Sequence, residues 1–228
     1  MKDFFRIDKF ITFILGSVFI LSIIFVFREF TNKKNNFCEG YKSVDEYRQS
    51  NLYDGYSKDG RCIFYDDHFV DTDYETFEVD YHGYAKDKNQ VYYAGKTIMG
   101  ADPVIFEKLG RYYSKDNKHV YYLDNLIKGV DINTFEALGN YYSKDKNNIY
   151  FENEISKSID YETFKYLDFD YVKDKNGVYN HGRKIIDADS ETFKMLGIEN
   201  QDIISRDENN CYKNGLVVEM FECEKLTK

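Results

Sequence analysis

Residues 10–27 run for 18 positions without a charge, interrupted only by Thr12, Ser17 and Ser22. Downstream the pattern changes, and apolar residues arrive in short groups separated by clusters of Asp, Asn, Lys and Gly. In one such stretch Tyr141-Tyr142-Ser143-Lys144 precedes Asp145-Lys146-Asn147-Asn148, and Ile149-Tyr150-Phe151 follows. Aromatic and β-branched groups on either side of an Asp/Asn cluster predict a β-hairpin. Asp accepts backbone N–H groups at such a turn, and Asn tolerates the left-handed conformation. A second turn is expected at Glu152-Asn153-Glu154, with counterparts at Ala94-Gly95-Lys96, Leu123-Asp124-Asn125 and His181-Gly182-Arg183. It leads into a short apolar strand such as Lys184-Ile185-Ile186. The next stretch reads as a helical turn. Asp189 is suited to N-capping and Gly197 to the position after the last turn, while Phe193 and Leu196 sit three apart on one face.

These elements recur. Segments 84–111, 113–140, 142–169 and 171–198 align without a gap, with Asp87, Asp116, Asp145 and Asp174 each 29 residues from the next. Phe106, Phe135, Phe164 and Phe193 keep the same 29-residue step. A weaker copy precedes them (Lys58-Asp59, Thr76-Phe77) and a divergent one follows (Arg206-Asp207, Cys211-Tyr212). A unit this small cannot bury its own apolar face, but stacked neighbours can build a continuous core. A four-stranded propeller blade takes about 40 residues, so the unit is read as something smaller. The expected fold is mainly β with short helical turns: about six tandem hairpin-plus-helical-turn repeats in an elongated, solenoid-like array, preceded by one transmembrane helix.

Composition sharpens this picture. With 22 Tyr and 19 Phe, the chain is too aromatic to be disordered despite its 31% charged residues. A net charge of −9 argues against nucleic acid or anionic lipid headgroups as a main partner, since both need a basic face. As a helix, residues 10–27 would span roughly 27 Å, enough for a hydrocarbon core. Bulky and charged residues (Phe25-Val26-Phe27-Arg28-Glu29) stand where a signal peptide would need small ones, which favours an uncleaved anchor. Lys2, Arg6 and Lys9 before the span balance Arg28, Lys33 and Lys34 after it, so charge leaves the orientation open. The short head and the cysteines favour a C-terminal domain exported to the periplasmic or extracellular side. The chain therefore divides into a head (1–9), an anchor (10–27), a juxtamembrane and N-terminal capping segment (28–55), repeats (56–198) and a divergent C-terminal capping repeat (199–228).

The block Asp87-Lys88-Asn89-Gln90-Val91-Tyr92-Tyr93, with its variants beginning at Asp116, Asp145 and Asp174, resembles the signature of the bacterial DKNYY family. The resemblance covers residues 56–213. It implies a bacterial origin and a repeat domain to which no reaction, ligand or catalytic residue is assigned, so no active-site residue carries over.

Candidate chemistry is sparse. Cys38, Cys62, Cys211 and Cys223 avoid the regular copies, two in each flank. Local bridges Cys38–Cys62 and Cys211–Cys223 would suit the two ends of an array, although three pairings are possible and reduced thiols are the alternative in a cytoplasmic domain. Asp174-Lys175-Asn176-Gly177-Val178 lacks the later ligands of a calcium loop, so the Asp-x-Asn blocks read as turns. His68, His82, His119 and His181 form no recognisable metal or catalytic spacing, and no cofactor or metal is expected. Tyr92, Tyr121, Tyr150 and Tyr179 recur one unit apart. Because neighbours on a strand face opposite ways, one tyrosine of each pair is a candidate for an exposed row that stacks on sugars; the alternative is that both pack within and between repeats. The expected function is a non-enzymatic envelope protein presenting its array for protein interaction or scaffolding. The alternative is a cell-wall or carbohydrate reader that uses exposed tyrosine.

Overall fold

The computed structural model describes residues 50–220 together with Cys38 and Cys223. The head, the proposed span 10–27 and, apart from Cys38, residues 28–49 lie outside the described residues. Among the described residues no helix is long and apolar enough to cross a membrane.

Six four-stranded antiparallel sheets follow one another along the chain, each a simple meander of consecutive strands. They occupy residues 50–70, 78–97, 107–126, 136–155, 165–184 and 194–218, here units 1 to 6. Unit 2 shows the plan: strands Glu78–Val79, Tyr84–Lys86, Val91–Tyr93 and Lys96–Thr97. The 29-residue step thus holds four strands, not the smaller hairpin unit expected. The outer strands of units 2 to 5 are only two residues long, which is how a full meander fits.

The turns form where the sequence places them. Ala94-Gly95 closes the third and fourth strands of unit 2, with Tyr93 opposite Lys96 and both turn residues at positive φ (46° and 75°). A Cβ on Gly95 would also lie 2.7 Å from the Tyr65 Cβ of unit 1, so this glycine serves both the turn and the close approach of the two units.

The expected helical segment is corrected. The Asp-x-x-Thr-Phe stretch makes one 3-10 turn at Tyr74–Thr76 and at Ile132–Thr134. After Asp189 the chain makes a single turn, Phe193 N to Asp189 O at 2.9 Å, and then enters the strand Lys194–Glu199. Phe193 and Leu196 consequently pack in different apolar clusters rather than on one helical face. A helix of so few residues has too little cooperativity to persist, whereas the neighbouring strand Asp202–Arg206 offers ladder hydrogen bonds.

Both faces of a sheet are buried, and each successive pair of sheets encloses one apolar layer. Between units 2 and 3 the layer holds Tyr84, Val91 and Ile98 from one sheet and Tyr121 from the next, with Phe106 packed at its side. The layer between units 3 and 4 repeats it with Tyr113, Val120, Ile127 and Tyr150, and Phe135 beside them. Phe77, Phe106, Phe135 and Phe193 each lie between two tyrosines of successive units, and Phe164 packs against the layer between units 4 and 5. Phe77 is 5.5 Å from Tyr56 and 5.9 Å from Tyr92. Phe106 is 5.9 Å from Tyr84 and 6.4 Å from Tyr121, and Phe193 is 6.2 Å from Tyr171 and 5.5 Å from Tyr212. Among the described residues, hydrogen bonds and ring contacts between units join sequence neighbours only, so the layer is the element that connects the array.

Phe193→Ala should therefore cost about 3–5 kcal/mol, as expected for an emptied aromatic site in a close-packed layer. Urea denaturation would show it as a lower midpoint. A loss below about 1 kcal/mol would mean that the layer between units 5 and 6 does not hold the array together.

Candidate functional site: the faces between units and the two ends

The Asp that opens the central turn of units 2 to 6 is buried in every case: Asp87, Asp116, Asp145, Asp174 and Asp207. Burial is tolerated because the carboxylate is saturated with donors. Asp145 Oδ1 accepts the amides of Asn147 and Asn148, both at 2.8 Å. Its Oδ2 accepts the Tyr150 hydroxyl and the Asp131 amide, again both at 2.8 Å. Tyr92, Tyr121 and Tyr212 make the same hydroxyl bond to Asp87, Asp116 and Asp207. Desolvation alone would raise these carboxyl pKa values. The backbone and hydroxyl donors outweigh it and hold Asp87, Asp116, Asp145 and Asp207 below the usual carboxylate range.

A second acidic position ties the turn before each sheet to this hub. Asp131 accepts the Thr134 amide at 3.2 Å and pairs with Lys146 at 2.7 Å, while the Lys146 amide donates to Thr134 Oγ1 at 3.1 Å. Asp73 with Lys88 and Asp160 with Lys175 repeat the ion pair at 2.7 Å. Exposed pairs of this kind contribute little individually; their regularity is what makes an exception informative.

The first tyrosine of the second strand reaches across to the following unit. Tyr56, Tyr84 and Tyr113 donate to the carbonyls of Gly83, Tyr112 and Tyr141 at 3.2, 3.0 and 2.6 Å. Tyr142 instead accepts the Gly182 amide at 3.0 Å. Tyr171 breaks the series with a buried hydroxyl that finds no partner. The cause is local: 33 residues separate Asp174 from Asp207, against the usual 29, and the extra length goes into the long first hairpin of unit 6.

At each end one of the two tyrosines is replaced. In unit 1 the position of the hub tyrosine, which elsewhere faces the preceding unit, is Phe64, and it packs with Cys38 and Cys62. In unit 6 the position of the reaching tyrosine is Ile204, packed with Cys211 and Cys223. Cys38–Cys62 and Cys211–Cys223 are both disulfides, with Cα–Cα distances of 5.8 Å. Each bridge packs against the residue that stands in the tyrosine's place. The local pairing is therefore the one the structure contains.

The row Tyr92, Tyr121, Tyr150 and Tyr179 is not an outward platform: all four side chains are 4% exposed or less. Their rings fill the layers and their hydroxyls engage the hub or, for Tyr179, the Ser158 carbonyl at 3.1 Å. The expectation of an exposed row fails because both faces of each sheet are covered, so strand alternation sends neither tyrosine of a pair fully into solvent. Tyr65, Tyr93, Tyr112 and Tyr141, which sequence reasoning did not single out for binding, are the half-buried ones. Among the described residues no group of three His, Cys, Asp or Glu side chains is placed to hold a metal ion.

A family model described as the DKNYY family matches residues 17–125, 113–160 and 149–227. The chain belongs to the DKNYY family. No curated protein and no solved structure matches it. The letters of the family signature acquire physical roles in this member. Asp is the buried hub, Lys pairs with the acid before the sheet, Asn supplies an amide to the hub, and the first Tyr donates its hydroxyl. The second Tyr stands opposite the reaching tyrosine of the adjacent strand, as in Tyr84 with Tyr93 at 5.0 Å and Tyr113 with Tyr122 at 5.1 Å. Phe64 and Ile204 were detectable in principle by position-by-position comparison of the copies, but their meaning depends on knowing which face each residue covers.

Two consequences are measurable. Tyr113→Phe should cost about 1 kcal/mol, because it leaves a buried carbonyl short of its donor, whereas Tyr171→Phe should be neutral or slightly stabilising. Equal losses from the two would contradict this assignment of the hydroxyls. Burial pushes the Tyr142, Tyr150 and Tyr171 phenols up to about 12. A pKa raised in the folded state gives stability that is full below the unfolded value near 10 and is lost as pH climbs toward 12. Tyrosine absorbance and circular dichroism should accordingly change together in a cooperative alkaline transition within that window.

Proposed function

We propose that the protein is a non-enzymatic, membrane-anchored component of the bacterial envelope, whose elongated, solenoid-like array presents a surface for other envelope components. Residues 10–27 serve as the anchor and the array stands on the exported side. The observation that carries this reading is the pair of disulfides covering both ends of the array, since such bridges persist in oxidising compartments. The recurring carboxylates and tyrosines point the same way: they are engaged in holding the units together, which favours scaffolding over chemistry. An open array with finished ends also suits a spacer between the membrane and a partner.

A second reading, a reader of cell-wall glycan, rests on the half-buried tyrosines beside the turns. Tyr112 lies 5.7 Å from Tyr141 and carries the Arg111 guanidinium 5.3 Å above its ring, and His181 is 4.8 Å from Tyr141. Rings flanked by polar groups suit sugar faces. Pulldown on purified peptidoglycan separates the readings. Retention that is lost in Tyr112→Ala plus Tyr141→Ala would favour the reader, and no retention would favour the scaffold.

Sidedness has its own test. A reporter fused after Lys228 should be active only outside the cytoplasm, and thiol labelling of the native chain should find no free cysteine. Reduction should lower the melting temperature, by an amount corresponding to about 2–4 kcal/mol per bridge. Reporter activity confined to the cytoplasm would overturn the localisation.

A further inference from the structure

The repeats act as internal controls for one another, and unit 3 departs from the others in the turn before its sheet. In the turn before the sheet, the position of Val104 carries Glu75, Asn133, Glu162 and Glu191 elsewhere. The position of Ile105 carries Thr76, Thr134, Thr163 and Thr192. In units 2, 4 and 5 the residue after the hub is Lys88, Lys146 and Lys175; in unit 3 it is Asn117, and the lysine has moved on to Lys118.

The turn itself survives, with Ile105 N to Asp102 O at 3.3 Å and Val104 N to Asp102 Oδ1 at 2.9 Å. Its polar surface does not. Val104 is 84% exposed, Met99 79% and Ile105 41%. Nothing in the fold calls for apolar side chains there, because the other units build the same turn with Glu and Thr. Val104 and Ile105 adjoin in the turn, and adjoining exposed apolar side chains mark contact sites.

The charges beside the patch indicate what covers it. Asp102 lacks the lysine that its counterparts Asp73, Asp131 and Asp160 hold at 2.7 Å, and the displaced Lys118 has no acid. Among the described residues neither forms an ion pair, both are exposed, and both line one groove with Met99 and Asn117. Asp102 thus shares a groove with Met99 and the unmatched Lys118, and it heads the turn that carries the exposed Val104 and Ile105. A two-fold axis through such a surface sets Asp102 of each copy against Lys118 of the other and closes the apolar side chains between them. We propose that this face of unit 3 is a homodimer contact and that its occupant is a second copy of the chain.

The test is sedimentation velocity on the full chain in detergent, across a concentration series. Wild type should show a concentration-dependent dimer. Val104→Glu combined with Ile105→Thr restores residues that other units carry, so it should keep the melting temperature while raising the dissociation constant at least tenfold. Met99→Lys, which matches Lys128 and Lys157 though not the exposed Ile186 of the next copy, should act in the same direction. Asp102→Lys and Lys118→Asp should each weaken the dimer alone, and mixing the two variants should restore it as a heterodimer, a result that a merely structural role for these residues does not give. A wild type that stays monomeric, a dimer indifferent to the restored turn, or a mixture that fails to associate would each overturn the proposal.

Discussion

The structure depends on the layer enclosed between consecutive sheets. A four-stranded sheet whose strands are two or three residues long has almost no independent stability, and here neither of its faces is left to water. What one unit lacks its neighbour supplies: one sheet contributes Tyr, Val and Ile, the next contributes Tyr, and a Phe from the intervening turn wedges against rings from both. Tyrosine suits this work better than phenylalanine because its ring fills the layer while its hydroxyl reaches a carbonyl or carboxylate at the edge. The aromatic abundance of the chain is a consequence of that arrangement.

The buried aspartate belongs to the same design. A carboxylate removed from water is costly unless its lone pairs are filled. The central turn supplies two amides, the hub tyrosine a hydroxyl, and the turn before the sheet a further amide. One side chain thereby couples a hairpin turn, a strand and the connection from the preceding unit. At the first and last units one polar part is replaced. Phe64 and Ile204 take over from tyrosines, and a disulfide covers each terminal face. Among the described residues a disulfide stands beside the first and the last sheet, and the departures of unit 3 lie in the turn before its sheet and next to its hub.

Much of this was readable along the chain. The period, the turn residues, the identity of the equivalent Asp and Phe positions and family membership all follow from local pattern, because turn geometry and strand alternation are set by neighbouring residues. The helical stretch after Asp189 was misread since its cap and spacing are locally adequate for a turn, and only the pairing of Lys194–Glu199 with Asp202–Arg206 made it a strand. The two-residue first strand of units 2 to 5, which follows the recurring Phe, was missed for the same reason. Two residues carry no periodic signal, and they become a strand only against a partner.

The site shows the division most clearly. Sequence by itself determined that Tyr92, Tyr121, Tyr150 and Tyr179 are equivalent and that four cysteines flank the array. It could not determine which way a tyrosine faces, because alternation on a strand names two faces without saying what covers each. Tertiary structure decided that both faces are covered, that Cys38 pairs with Cys62 and Cys211 with Cys223, and that Val104 and Met99 stand in the open. Burial and cross-linking are relations between units, and such relations exist only once the sheets have packed.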